Sequence, residues 1–337
     1  MKNQLLIAVI ALSVGACTAT KDQSAETYGR IERTDEAINA LIDKDAKIEL
    51  LGEGYTWSEG PLWIESKKLL LFTDVPNNVI HKWTEEKGVE VFLTPSGYTG
   101  TTPTVSREPG ANGLTLDPQG NLIICQHGDR RVSRYDGGFE KPEPKFTTLA
   151  DRYEGKRLNS PNDVVVRSNG DIFFTDPPYG FKQLDSDPDK ELSHNGVYKV
   201  SADGKVTLLV DSLTKPNGIA LTPDEKTLIV ANSDPQKAIW YAFDLDDNDS
   251  ITNARVFYDA TTLVNDENKG LPDGLKIDKN GNVFASGPGG IWIFDKSGKV
   301  LGKVRLPNAT ANCELSDDGK TLFMTSNMNL LRLKMTK

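Results

Sequence analysis

The chain has 337 residues, 37% of them hydrophobic, which is enough apolar material for one large core. Its 48 acidic residues against 39 basic ones leave a formal charge of −9, so nucleic acid and anionic bilayers are excluded as electrostatic partners.

The first residues read as a targeting segment. Lys2 supplies a positive end, Leu5 to Val14 is an apolar run too short to cross a bilayer as a mature helix, and Val14-Gly15-Ala16-Cys17 comes next. Residues 1–16 are expected to be a signal peptide whose removal leaves Cys17 as a lipidated first residue. The alternative is an ordinary secretory peptide cut after Ala16 or Ala19. In both cases the protein is expected to be exported to the periplasm, touching a membrane only through that anchor. Residues 17–46 read as a polar tether, to about residue 30, and then a short helix. Thr34 or Asp35 caps that helix, and Ile38, Leu41 and Ile42 line one side, set to pack on the outside of the main domain.

From residue 47 onward one pattern recurs. Segments beginning at Glu59, Asn112, Asn162, Asn217, Asp273 and Asn312 each continue as an apolar run, a turn rich in Asp, Asn, Gly and Lys, and a second apolar run. That is a β-hairpin, and the interval between repeats suits four strands with their turns. The predicted fold is all-β, a six-bladed β-propeller over 47–337. Strands are expected at 60–64, 69–73, 79–83 and 89–93 in the first blade and at 113–117, 121–126, 131–135 and 145–149 in the second. The last blade runs out after three strands, and the N-terminal strand 47–51 is expected to supply the fourth and close the ring. Cys125 and Cys313 fall in blades that are not neighbours, so both are expected to be buried free thiols.

Neighbouring strands in a blade are antiparallel, which brings the start of each first strand and the end of each second strand to one end of the ring. The six leading residues therefore share a face, and the long links 94–111, 150–161, 176–195 and 259–272 cross the same face. Two carboxylates, Glu59 and Asp273, and four amides, Asn112, Asn162, Asn217 and Asn312, suit a hard cation. Ca²⁺ tolerates such a scattered set better than Mg²⁺ does. His81, His127 and His194 sit at no metal-ligand spacing from one another, which disfavours zinc. Turn chemistry alone would account for Asn-Gly, Asn-Asp and Asp-Gly, but not for Glu59. Asp185, Asp187 and Asp189 look like the start of an EF-hand, but the Gly and Glu that should come after them are absent, so they read as a solvated loop.

At WSEGPLW (57–63), SPND (160–163), KPNG (215–218) and PDG (272–274) the chain resembles the senescence-marker-protein/gluconolactonase family of six-bladed propellers, from about Lys47 to the end. The stretches ANGLTLDPQGNLIICQHGDRRVSRYD and FTDPPYG further resemble its exported bacterial branch. The resemblance implies one divalent cation at the axis, Ca²⁺ first, with Zn²⁺, Mg²⁺ or Mn²⁺ as alternatives. By motif its ligands are Glu59, Asn217 and Asp273, joined by Asn162 as in diisopropylfluorophosphatase-type propellers. Ser160 stands where regucalcin-like members carry an arginine, and Arg131 or Arg157 is expected to substitute. Asn112, His127, Arg131, Tyr179 and Asn312 complete the expected substrate contacts, with Tyr179 and the 176–195 insertion as a lid.

The implied reaction is the opening of a sugar lactone, the cation polarising the carbonyl and Asp273 acting as general base on water, with His127 in reserve. A site face rich in hydrogen-bonding groups, without an evident deep apolar pocket, favours a polyhydroxylated substrate such as gluconolactone. A phosphotriesterase-like or other metal-dependent esterase and a non-catalytic ligand-binding propeller are the competing functions, because fold alone does not choose among them.

Overall fold

Alternating apolar residues and tight acidic turns produce the blades. At Asp117, Asp246 and Asp278 the side chain caps its own turn, Asp117 accepting from the amides of Gln119 at 3.0 Å and Asn121 at 2.8 Å. The structure, a computed structural model, describes residues 28–102, 104 and 106–336. The leader, Cys17 and the tether before Tyr28 lie outside the described residues.

Six antiparallel sheets succeed one another around an axis. The first comprises Ser58–Ile64, Leu69–Asp74, Val79–Thr84 and Gly88–Leu93. The second comprises Ala111–Leu116, Leu122–Gln126, Arg131–Tyr135 and Phe146–Ala150, so the strands predicted in these two blades lie within about two residues of those observed. The third opens with Val164–Val166, the fourth with Pro216–Leu221, the fifth with Leu275–Ile277 and the sixth with Asn312–Leu315.

Closure occurs as expected. Ile48–Glu53 pairs antiparallel with Asn329–Lys334, placing Ile48 opposite Leu333 and Leu50 opposite Leu331. The Ser58 hydroxyl donates to the carbonyls of Asn327 at 2.9 Å and Asn329 at 3.0 Å, tying the first blade to the last.

The residues ahead of that strand do more than the sequence suggests. Arg30–Arg33 forms a fifth strand on the fifth blade, with Arg30 opposite Arg305. Four residues with one interior apolar side chain carry no periodic signal, so nothing in the sequence separates this strand from the end of the tether. Asp35 then caps a 3₁₀ turn at Glu36–Ala40, its Oδ1 accepting from the Ala37 amide at 2.9 Å. That turn carries Ile38, fully buried with Ile42 among Ile291, Ile293, Val304 and Met324. The segment is thus part of the seam between the last two blades.

The apolar core is a ring of six clusters, one at each interface between neighbouring blades. The fourth and fifth blades, for example, meet through Trp240 and Trp292, whose rings lie 5.8 Å apart. Cys125 and Cys313 sit in two different clusters, both buried and unpaired. Because the hydrophobic contacts lie between blades, the axis is left to polar groups. The inner strands crowd there: a Cβ on Gly60, whose φ is +46°, would lie 2.0 Å from the Asn112 carbonyl oxygen.

A chain beginning at Tyr28 is expected to melt with the longer form. One beginning at Gly54 loses two strands and the burial of Ile38, Ile42 and Ile48, each worth about 1.5–3 kcal/mol. Against a typical total of about 5–15 kcal/mol it should lose its cooperative transition. Equal melting temperatures for the two chains would refute the structural role of the N-terminal strands.

Candidate active site

The axial end of each first strand is pinned from the side. Thr73 donates its hydroxyl to the Asn112 carbonyl at 3.2 Å, Thr175 to that of Asn217 at 2.6 Å, and Ser286 to that of Ala311 at 2.8 Å. A second-strand hydroxyl thus fixes the leading segment of the next blade, and the leading side chains inherit that placement. Glu59, Asn112, Asn162, Asn217 and Asp273 converge on one cavity of about 710 Å³.

The nitrogens of three amides have acceptors beside them. Asn217 Nδ2 donates to Ser233 Oγ at 3.1 Å, while Asn112 Nδ2 and Asn162 Nδ2 each lie 3.4 Å from His127 Nε2. Among the described residues no donor engages the corresponding amide oxygens. Glu59 Oε2 accepts from the Gly60 amide at 3.0 Å, and buried Asp273 Oδ1 has no hydrogen-bond partner among the described residues. Burial pushes the Glu59 carboxyl up to about 7, with the charge of Asp163 adding to it. Burial and the neighbouring Glu59 charge push Asp273 well above the usual carboxylate range. An orphaned carboxylate oxygen beside outward-turned amides and a second carboxylate is a donor set that fits a hard cation. No group of three or more His, Cys, Asp or Glu side chains suited to a metal occurs among the described residues, so a cation here depends on the amides.

Asn312 is placed differently from the substrate contact expected of it. Its Nδ2 donates to Glu59 Oε2 at 3.3 Å and its Oδ1 accepts from the Cys313 amide at 2.9 Å, so both ends are spent holding Glu59. Arg131 does not line the cavity either. It donates to Gln126 Oε1 at 2.6 Å and Thr148 Oγ1 at 3.0 Å and pairs with Asp129 at 2.9 Å, bracing its own blade. Arg157 faces a side cavity of about 480 Å³, and the cations lining the central one are Arg107 and Lys215. His127 is 1% exposed, stands behind Asn112 and Asn162 and lines the side cavity rather than the central one, and burial pushes its ring down to about 3, which makes it a weak base as well as one out of reach. Asp187 spends its carboxylate on the amides of Gln183 and Asp189, which makes the acidic stretch a self-capped loop.

Tyr179 does line the central cavity. Burial raises its hydroxyl pKa strongly, as does the Asp273 charge, against hydrogen bonding from Ser233 and Asn217. It is therefore a fully protonated donor beside Asp273. Asp163 does not stand out in the sequence, yet it belongs to this environment. It is 2% exposed, accepts from the amides of Val164 at 2.9 Å and Ile219 at 3.2 Å, and adds to the charge felt by Glu59 and Asp273. Its signal is its place in the SPND motif (160–163), where a turn explains an aspartate equally well. The cavity is also larger and more apolar at its rim than expected, because Trp57, Pro76, Pro235, Val264 and Leu271 contribute to its wall from loops without periodicity.

These features define a class: a six-bladed propeller with carboxylate and amide oxygens gathered at its axis beneath an open cavity. The chain belongs to the SMP-30/gluconolactonase/LRE-like family, whose model matches residues 57–328. A gluconolactonase from Zymomonas mobilis is 36% identical, aligned over 99% of this chain and 97% of its own. A solved gluconolactonase from Xanthomonas campestris superposes with a TM-score of 0.77 at 32% identity, covering 91% of this chain and 94% of that one. Regucalcin from Agrobacterium tumefaciens, a calcium-binding protein, shares the fold with a TM-score of 0.65 at 19% identity, covering 85% of this chain and 92% of that one.

Raised carboxylates stabilise the fold fully below their unfolded pKa and lose that contribution as pH climbs through the folded one. With Glu59 at about 7 and Asp273 well above its ordinary value, metal-free protein should lose melting temperature between about pH 6.5 and 8. His127, lowered from 6.5, acts in the opposite direction only below that window. Ca²⁺ should reduce the loss by the share of Glu59 and Asp273, leaving that of Glu108, Asp176 and Glu314, which burial also raises to about 7. Its binding at about pH 6 should release protons, read as a heat that differs between buffers. A melting temperature flat across this window in the metal-free protein would contradict the electrostatic account.

Proposed function

We propose that the protein is a metal-dependent hydrolase that opens a sugar lactone. The observation that carries this reading is the unpartnered Asp273 oxygen set among amide oxygens on the wall of a roomy cavity. Two relatives named as gluconolactonases, at 36% and 32% identity, support it. Glu59, Asn162, Asn217 and Asp273 would hold one divalent cation, most simply Ca²⁺, with Asn112 beside them. When bound, such an ion supplies Lewis acidity to a carbonyl and makes water easier to deprotonate.

The chain's own groups divide the remaining work. Asp273 takes a proton from the water that attacks the lactone carbonyl carbon. The acyl C–O bond of the ring then breaks, the departing ring oxygen takes a proton from the Tyr179 hydroxyl, and protonated Asp273 returns its proton to the Tyr179 oxygen, so both groups end as they began. Lys215 and Arg107 face the hydroxyls of the substrate and the carboxylate of the product. The Trp57, Pro76, Pro235, Val264 and Leu271 surface favours a second reading, a lactone carrying an apolar substituent. The leader and Cys17 extend the proposal to location: this chemistry takes place in the periplasm, on a protein anchored by lipid.

Under saturating Ca²⁺, with bound metal counted directly, Asp273→Asn is expected to lower kcat by about 10²–10⁴. Proton release should be compared on sugar lactones, alkyl lactones and phosphotriesters, with each uncatalysed rate subtracted. Preference for alkyl lactones would establish the second reading. Turnover of phosphotriesters alone would replace lactone opening with a phosphotriesterase-like reaction, and turnover of nothing would leave a ligand-binding propeller.

A further inference from the structure

We infer that His127 is a positioning residue that decides which end of two axial amides faces the cation, its Nε2 accepting from Asn112 and Asn162 together and thereby turning both amide oxygens to the axis. The inference rests on the proposed cation site and concerns how the ligand set is held.

The imidazole comes directly after the second strand of the second blade and is almost wholly buried, with Nε2 3.4 Å from Asn112 Nδ2 in its own blade and 3.4 Å from Asn162 Nδ2 in the next. In a neutral imidazole each ring nitrogen is either a donor or an acceptor. If Nε2 carried the proton, both amides would have to present oxygen to it. Two NH₂ groups would then face Glu59 and Asp273, where they would donate to the carboxylates and repel a cation. With the proton on Nδ1, the same three side chains present two oxygens to the axis instead. The position of one proton thus selects between a cation site and a closed cluster of carboxylates and amides.

What lies on the other side of the ring favours the proton at Nδ1. Glu108 Oε2 is 3.7 Å from Nδ1, which has no hydrogen-bond partner among the described residues, so this is the side where an N–H would face an acceptor oxygen. An imidazolium would donate from both nitrogens and turn both amides around, so the arrangement requires the neutral ring. Asn217 has a separate device, the Ser233 hydroxyl, for the same end. Asn112 and Asn162 share one orienting group, so their orientations are coupled across a blade boundary.

The tautomer is measurable directly by ¹⁵N NMR of histidine-labelled protein, with and without Ca²⁺. His127→Phe identifies which of the three histidine signals belongs to residue 127. The expected result is a neutral ring protonated at Nδ1 between about pH 6 and 8, and a ring protonated at Nε2 or at both nitrogens overturns the inference. Calcium titration gives a second readout: His127→Phe should weaken binding by about 10–100-fold, and unchanged affinity also overturns it. If that variant fails to fold, His81→Phe and His194→Phe assign the wild-type signal by elimination, and the tautomer alone decides. Wild-type protein that binds no Ca²⁺ would sink the cation reading, whereas a wrong tautomer in protein that does bind it sinks only this one.

Discussion

Two carboxylates that cannot move apart are the constraint on which the site depends. Glu59 and Asp273 enter from separate blades, Glu59 is buried and Asp273 partly so, and after burial itself the Glu59 charge is the main cost of ionising Asp273. In a solvated loop such a pair would separate or take on water. Here the Ser58 hydroxyl ties the Glu59 strand to the last blade, the Ser233 hydroxyl of the fourth blade holds the Pro272 carbonyl just before Asp273, and close packing at Gly60 and Gly218 leaves these segments no room to yield. The tension can be relieved by protons or by a metal, and the surrounding amides, with their nitrogens engaged elsewhere, leave oxygens to receive the metal. The axis also holds a fixed countercharge. Burial works against the Lys276 ammonium, but Glu314, 3.8 Å away, and Asp163 outweigh it and keep it charged.

This division comes from how a propeller spends its apolar residues. Six clusters fill the six gaps between blades and leave none for the centre, so the hub must be built from polar groups that satisfy one another. Asn312, Ser233 and His127 belong to that bracing layer. Asn312 and His127 look like site residues in sequence, but both ends of Asn312 and the Nε2 of His127 are taken up by neighbours. What remains available is the set of atoms they leave uncovered.

The blades are legible in the sequence because a strand facing a neighbouring blade must alternate or run apolar, and because each acidic turn announces the next strand. The closing strand is legible by subtraction, since three strands at one end and an unpaired run at the other require each other. The leading residues are legible as a repeat. Their division of labour is not, because Asn112 and Asn312 open identical patterns and differ only in what stands behind them. Arg131 illustrates the same limit: its place near the end of a second strand suggests the site face, yet a glutamine five residues earlier and a threonine across the strand have already claimed it. Trp57 lies inside a recognisable motif, yet its role in the wall depends on loops that approach from other blades.

The ring is fastened by pairing residues 48–53 with 329–334, the first and last strands of its closing blade. On a ribosome the earlier strand emerges long before its partner, and the seam that buries Ile38 and Ile42 also needs the fifth and sixth blades. Five blades can be synthesised in order, but the circle is completed only once residues 329–334 have emerged. A nascent chain is therefore an open arc with an unpaired edge until that strand is made. It becomes a closed ring in that one step, and a chain stopped before Asn329 would contain every proposed cation ligand and no closed frame to hold them.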